Sequence, residues 1–327
     1  MLINSTENRR NRRLAWTMGG LGSLFGVAIS WFSPWFLVLV PAAVSIAFWV
    51  RYRTARRYRV LQQPFPQNRQ AILNTKVTFY QALDEEGQKR FRDLVAVFLD
   101  EVAITGIGTE VDETTRTLVA ASAVIPILAF EDWEYSGLGE VLIYPASFDS
   151  GFKTNEDGDA NILGMVGTQH MSGVMILSKP ALLAGFANDR DKRNVGVHEF
   201  AHLVDKQDGA IDGTPPGVSA DAYQPWVQWV GEELRRENAG NQHIDDYAYT
   251  NEAEYFAVLS EYFFESPSVL QKKDPRLYDM MQKMYRQDPK RLFARRPKRR
   301  GRVGRNQPCP CGSGEKFKRC CRRRSAR

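Results

Sequence analysis

Between Leu14 and Val50 the chain carries no charged residue, 37 positions in all. A spanning helix needs about 20 apolar residues, so this run is too long for one span and just long enough for two. Ser33-Pro34 falls in its middle, where a turn between two spans has to be. Trp16 and Trp49 lie near the outer ends and Trp31 and Trp35 beside the turn, as interfacial aromatic belts require. Arg9, Arg10, Arg12 and Arg13 precede the run, and Arg51, Arg53, Arg56, Arg57 and Arg59 follow it. Basic flanks stay on the cytoplasmic side, which a two-span hairpin satisfies and a single span does not. The run is too long for a signal peptide, and no clear cleavage site follows it. The expectation is a transmembrane helical hairpin over residues 1–60. It makes the protein a multi-pass protein of the inner (cytoplasmic) membrane, with the rest of the chain in the cytoplasm.

The overall charge of +6 hides a strong asymmetry. Residues 1–60 carry nine arginines against one glutamate, and residues 290–327 carry sixteen basic residues against one glutamate. That leaves −17 for residues 61–289, so the high isoelectric point belongs to two basic ends and not to the body. All four cysteines lie in the last nineteen residues. A body without cysteine excludes a disulfide framework there and places the thiols in a metal site in a reducing compartment.

Within the body, His198-Glu199-Phe200-Ala201-His202 reads H-E-x-x-H inside an apolar run, with no glycine or proline between Val197 and Asp205. On a helix, residues four apart stack on one face, so His198 and His202 can both present a ring nitrogen to one metal ion. Glu199 sits about 100° round the helix, close enough to reach a water beside the metal without ligating it. Neutral imidazole suits zinc, and a catalytic zinc keeps one position open for water, whose pKa it lowers to about 7. The bland reading is two core histidines that share a helix face.

Around this motif the pattern is mixed. After a linker from Gln62 to Asn68, Asp84-Glu85-Glu86 begins an amphipathic helix through Leu99. Thr114 to Ile125 reads as a buried helix stopped by Pro126, and Trp226 to Arg236 as a further helix. Val141 to Tyr144 and Val174 to Leu177 read as short strands, separated by an exposed glycine- and acid-rich loop from Gly151 to Gly164. Gly209, Gly213, Pro215, Pro216 and Gly217 end the H-E-x-x-H helix. His170 and His243 have no partner at metal spacing and read as ordinary histidines.

Two histidines do not complete a catalytic zinc site, so a third ligand lies elsewhere. Thr250 or Asn251 can cap a helix in which Glu254 and Glu261, seven apart, share a face among Phe256, Ala257, Val258 and Leu259. A carboxylate on so apolar a helix needs a partner. Residue physics leaves Glu254 and Glu261 as equal candidates, with Glu254 also able to serve as a capping-box acid.

The segments His198 to Asp205, Tyr247-Ala248-Tyr249-Thr250 and Ala253 to Phe264 resemble the Mlc titration factor A family of zinc peptidases. Glu140 to Pro145 looks like the strand before that family's site. The resemblance covers roughly residues 70–290. The family in turn resembles the anthrax lethal factor catalytic domain, in which a tyrosine precedes the ligand glutamate by seven residues, the spacing of Tyr247 and Glu254. The resemblance therefore implies an α+β zincin-like metallopeptidase domain over residues 61–289, mostly helical with a small sheet. It implies Glu254 as third ligand, Tyr247 as the hydroxyl near the scissile carbonyl, and Glu261 as a residue orienting a histidine or packing against the site. It also allows aminopeptidase-like activity on short substrates, while the sequence itself leaves endo- and exo-cleavage both open.

From Lys290 a basic linker leads to Cys309, Cys311, Cys320 and Cys321, four thiols closed over Gly312-Ser313-Gly314. The pattern resembles the SEC-C motif and implies a small all-thiolate structural zinc module within residues 290–327, whose metal supplies its folding energy. The flanking arginines suit a protein partner, the ribosome or anionic lipid.

Together these readings give a membrane-tethered zinc peptidase with one catalytic and one structural zinc ion. Its substrates are peptides or proteins, its general base is Glu199, and Tyr247 is the hydrogen-bond donor. The alternative is a zinc-fold adaptor with weak or no catalysis that binds a regulator, the ribosome or a translocation partner.

Overall fold

In the computed structural model the described residues are 2–131, 133–135, 137–147, 162–166, 173–188, 191–206, 209–215, 220–235, 243–294, 315, 316 and 319, the side chains of 220–222 excepted. His170, most of the glycine-rich loop and the four tail cysteines lie outside them.

Helix α1 (Ser5–Ile29) starts on a capping box, in which Asn4 accepts from the N–H of Thr6 and Glu7, and Glu7 accepts from the Asn4 N–H. Past a turn, Pro34 opens a 3-10 helix (Pro34–Val38) that leads into α2 (Leu39–Gln62), since proline tolerates a first helical position. The two long helices pack antiparallel and close. A Cβ on Gly19 would meet the Ala47 methyl at 2.8 Å, and one on Gly22 would meet the Ala43 methyl at the same distance. Arg51 closes the outer end with a 2.6 Å hydrogen bond to Asn8 Oδ1. Among the described residues nothing covers the opposite faces, and Trp31 and Trp35 at the turn are 90% and 87% exposed. Among the described residues one helix, Pro34–Gln62, is long and apolar enough to cross a membrane by length and composition.

The body is mostly helical around a small mixed sheet. After α3 (Gln67–Lys76) and α4 (Thr78–Ala82), Asp84 caps the N–H of Gly87 to start α5 (Glu85–Glu101). Strand β1 (Ala103–Gly106) follows, then α6 (Glu113–Ile127), β2 (Glu140–Tyr144), β3 (Gly164–Val166) and β4 (Val174–Ser178). The sheet order is β1-β2-β4-β3, parallel except for β3, which runs antiparallel along the edge of β4. Two expectations change here. Helix α6 continues through Pro126 into its last turn, and the Gln287 side chain donates to the carbonyls of Ile125 and Pro126 there. Gly164, expected to end a loop, begins the edge strand β3.

Beyond the sheet come α7 (Lys179–Ala187), α8 (Val195–Asp205) and α9 (Ala220–Arg235), the last longer at its start than the expected Trp226 to Arg236. A 3-10 turn (Asp246–Thr250) precedes α10 (Glu252–Glu265), α11 (Pro267–Lys273), α12 (Pro275–Tyr285) and α13 (Pro289–Ala294). Helix α8 packs against α6, α10, α7 and the β3–β4 edge. Helix α10 is buried from Tyr255 to Phe264 on every side, as a helix apolar all round but for Ser260 and Glu261 demands. These two helices form the centre of the molecule.

Candidate metal centre

Helix α8 contains three valines, poor helix formers, but nine of its eleven residues are buried, and tertiary burial outweighs intrinsic propensity. Asn194 caps it by accepting from the Val197 N–H. This fixes the rotation of the helix and turns His198 and His202 to one side, their rings 4.9 Å apart. Facing them, Asn251 caps α10 by accepting from the Glu254 N–H, which leaves the Glu254 side chain free to turn inward.

Glu254 Oε2 lies 3.1 Å from His198 Nε2 and 3.6 Å from His202 Nε2, and the three residues form a set whose donor atoms all lie within 4.8 Å. Ligand atoms at about 2.0–2.1 Å from a tetrahedral zinc sit about 3.3 Å from one another, so the set fits this ion. The charges fit a cation too. Burial alone would push the His198 pKa down, yet the carboxylates of Glu254 and Glu261 raise it well above the usual value. Burial likewise works to raise Glu254, but hydrogen bonds from the two histidines hold it below the usual carboxylate range. The pocket is built to hold positive charge between these groups.

Glu261 reaches the other side of the same histidine. Its Oε1 lies 2.8 Å from His198 Nδ1, while its Oε2 accepts the backbone N–H of Asn194. One carboxylate thus ties the ring to the residue that caps its helix. His202 Nδ1 is buried and has no hydrogen-bond partner among the described residues.

Glu199 is 5% exposed and points toward β3. A Cβ at Gly164 would lie 2.5 Å from Glu199 Oε1, so only glycine lets the edge strand approach this carboxylate. Burial raises the Glu199 pKa above the ordinary value against the pull of His198 and His202. Tyr247 sits on the 3-10 turn, 55% exposed, its ring 6.1 Å from that of His198. Partial burial and the carboxylates of Glu254 and Glu199 push its hydroxyl pKa up to about 12, so it remains a proton donor.

His198, Glu199, His202, Tyr247, Glu254 and Glu261 therefore converge, while His243 stands apart against Tyr262 and Cys309, Cys311, Cys320 and Cys321 lie outside the described residues. Sequence reasoning missed Asn194 and Gly164. Asn194 carried a signal, a cap residue before an apolar run. Gly164 carried none, because its role depends on how closely a strand approaches a helix.

Residues 50–286 match the glucose-regulated metallo-peptidase M90 family. The chain belongs to that family. Residues 305–323 match the SEC-C motif. An uncharacterized protein of Synechocystis sp. is 30% identical over 244 residues, covering 72% of this chain and 89% of that protein. Mlc titration factor A of Salmonella agona is 30% identical over 223 residues, covering 63% of this chain and 82% of its own length. The Mlc titration factor A of Escherichia coli is 28% identical over 223 residues. The M90 match begins at Val50, where the charge-free run ends, and spans every converging residue of the site. A metallopeptidase family and the SEC-C motif both point to zinc as the ion.

Proposed function

We propose that the protein is a zinc-dependent peptidase held on the cytoplasmic face of a membrane by α1 and α2. The observation that carries this reading is the convergence of His198, His202 and Glu254, with Glu199 buried beside them. When bound by these three residues, zinc supplies a Lewis acid that lowers the pKa of water and polarises the scissile carbonyl. Glu199 takes the proton of the attacking water and hands it to the leaving amine, a cycle that returns it to its starting state. Its burial against Gly164 excludes bulk water from that transfer. Tyr247 donates a hydrogen bond to the oxygen that gains charge, and its exposure leaves room for a substrate chain beside it. Glu261 holds the His198 ring, so that its Nε2 keeps its aim.

The tether reading rests on the uncovered apolar faces. Leu21, Leu24 and Phe25 on α1 and Ile46, Phe48 and Trp49 on α2 are all more than half exposed, a surface that a bilayer would cover. Arginines at both outer ends favour two spans with the peptidase domain, residues 61–289, in the cytoplasm. Residues 290–327 are proposed to form a second, structural zinc site from Cys309, Cys311, Cys320 and Cys321.

Glu199→Gln tests the catalytic reading. The variant is expected to keep zinc and fold and to lose at least about a hundredfold in peptide hydrolysis, the usual scale for a general base. Hydrolysis at the parent rate would refute the mechanism.

A further inference from the structure

One cavity among the described residues lies away from the metal centre. It has a volume of about 480 Å³ and lies between the last turns of α2 and helices α5 and α6. That volume falls within the range of small-molecule sites, about 300–1,000 Å³. Val97 and Phe98 of α5 and Val124 and Ile127 of α6 form an apolar wall. Arg53, Arg56 and Arg57 of α2 line the other side. Arg57 is 5% exposed and engaged by Glu101 and Glu134, whereas Arg53, paired with Glu101 and Glu134, and Arg56, paired with Asp100, also reach solvent and mark the mouth. Asp100, Glu101 and Glu134 balance the three lining arginines, and Arg51 and Arg59 on the same helix, with Arg12 beside Arg51, add positive charge around the mouth. The lining begins at Tyr52, two residues past the end of the charge-free run.

We propose that this cavity binds a single-chain anionic amphiphile of the fatty-acid class, its chain between α5 and α6 and its carboxylate at Arg53 and Arg56, and that its occupancy is felt by helix α8. An apolar wall below a cationic mouth matches a molecule with those two parts. The mouth opens where α2 leaves its apolar stretch, the depth at which such molecules reside. Supply from the bilayer rests on the span proposed above, while the cavity and its lining do not. The route to the metal helix is one ring thick. Phe98 and Tyr135 both line the cavity, and their rings lie 5.6 Å and 5.1 Å from that of Phe200, the residue after Glu199.

The test uses the full-length protein in phosphatidylcholine nanodiscs with a diazirine analogue of palmitate. Cross-links are expected within residues 94–102 or 133–138 and are displaced by unlabelled palmitate. Val97→Trp fills the space and should cut this labelling at least about tenfold. Arg53→Gln combined with Arg56→Gln also removes ion pairs to Asp100, Glu101 and Glu134, so an uncharged ligand serves as the control for any loss of structure. The double variant should weaken palmitate about tenfold while sparing hexadecanol, which has no charge to lose. Cross-links elsewhere, labelling indifferent to Val97→Trp, equal losses for palmitate and hexadecanol, or displacement by lysophosphatidylglycerol alone would each overturn the assignment. The coupling is read without turnover or metal. Palmitate should slow amide hydrogen exchange across 197–203 in the unmutated protein and not in Val97→Trp. Unchanged exchange with labelling intact overturns the coupling alone, and neither readout depends on peptidase activity.

Discussion

Glu254 and Glu261 lie seven residues apart on one face of α10 and serve the same histidine from opposite sides. Glu254 Oε2 meets both Nε2 atoms, and Glu261 meets His198 Nδ1 and the Asn194 backbone. Their removal should therefore differ in kind. Glu254→Ala is expected to abolish stoichiometric zinc at this centre. Glu261→Gln, whose amide oxygen still accepts from His198, should bind zinc about ten- to a hundredfold more weakly, the scale for a group that supports a ligand. Titration of each purified variant against a competing chelator measures both, and equal losses or the reverse order would mean that the third ligand is assigned incorrectly. Helical spacing alone left these two carboxylates equivalent, because a period of seven puts both on one face. What separates them in the structure is where α8 crosses that face, a tertiary fact that places Glu254 Oε2 near both Nε2 atoms and Glu261 against His198 Nδ1. The H-E-x-x-H pair was legible because its geometry is local to one helix.

Among the elements, α2 has two surroundings along its length. Its first half packs on α1 through small residues and leaves its large apolar side chains uncovered. Its last turns are arginine-rich and pair with Asp100 and Glu101 at the end of α5. A helix with both environments fits one that leaves a bilayer and docks on the domain it carries. Single-cysteine reporters read this directly. Reporters at Asn8 and Tyr58 are expected to stay unreactive to an impermeant label applied to intact cells, and one at Ser33 to react weakly, being close to the interface. Labelling at Tyr58 would place the peptidase domain outside. The long helices and the strands β2 and β4 were legible from period and capping, as with Asp84 before α5. The edge strand β3 was not. Three residues, Gly164-Met165-Val166, are too few for an alternation to register, and their pairing with β4 supplies the order. Pro126 misled for a related reason, since a proline in the last turn disturbs few backbone bonds and Gln287, 161 residues on, satisfies the carbonyls there.

At the scale of the whole molecule, an acidic body sits between two basic ends, and the two proposed zinc sites differ in chemistry and in place. The centre on α8 and α10 offers two imidazoles and one carboxylate, and the proposed catalysis would need a further position left open for water. Its histidines must be neutral to ligate, so protons and chelators both compete for it. The proposed tail site would use Cys309, Cys311, Cys320 and Cys321, and four thiolates on one zinc leave no position for an entering ligand. The first site should thus give up its metal faster than the second. Brief treatment of the full-length protein with a mild chelator is expected to abolish peptide hydrolysis while about one equivalent of zinc remains. Replacing Cys320 and Cys321 by serine should remove that slow equivalent and leave hydrolysis nearly intact, because the segment from Lys290 to Arg305 separates the two sites in the chain. Metal analysis before and after chelation, on both proteins, decides the matter. A single equivalent in the untreated parent, or loss of hydrolysis in the double serine variant, would show that the tail is not an independent zinc module.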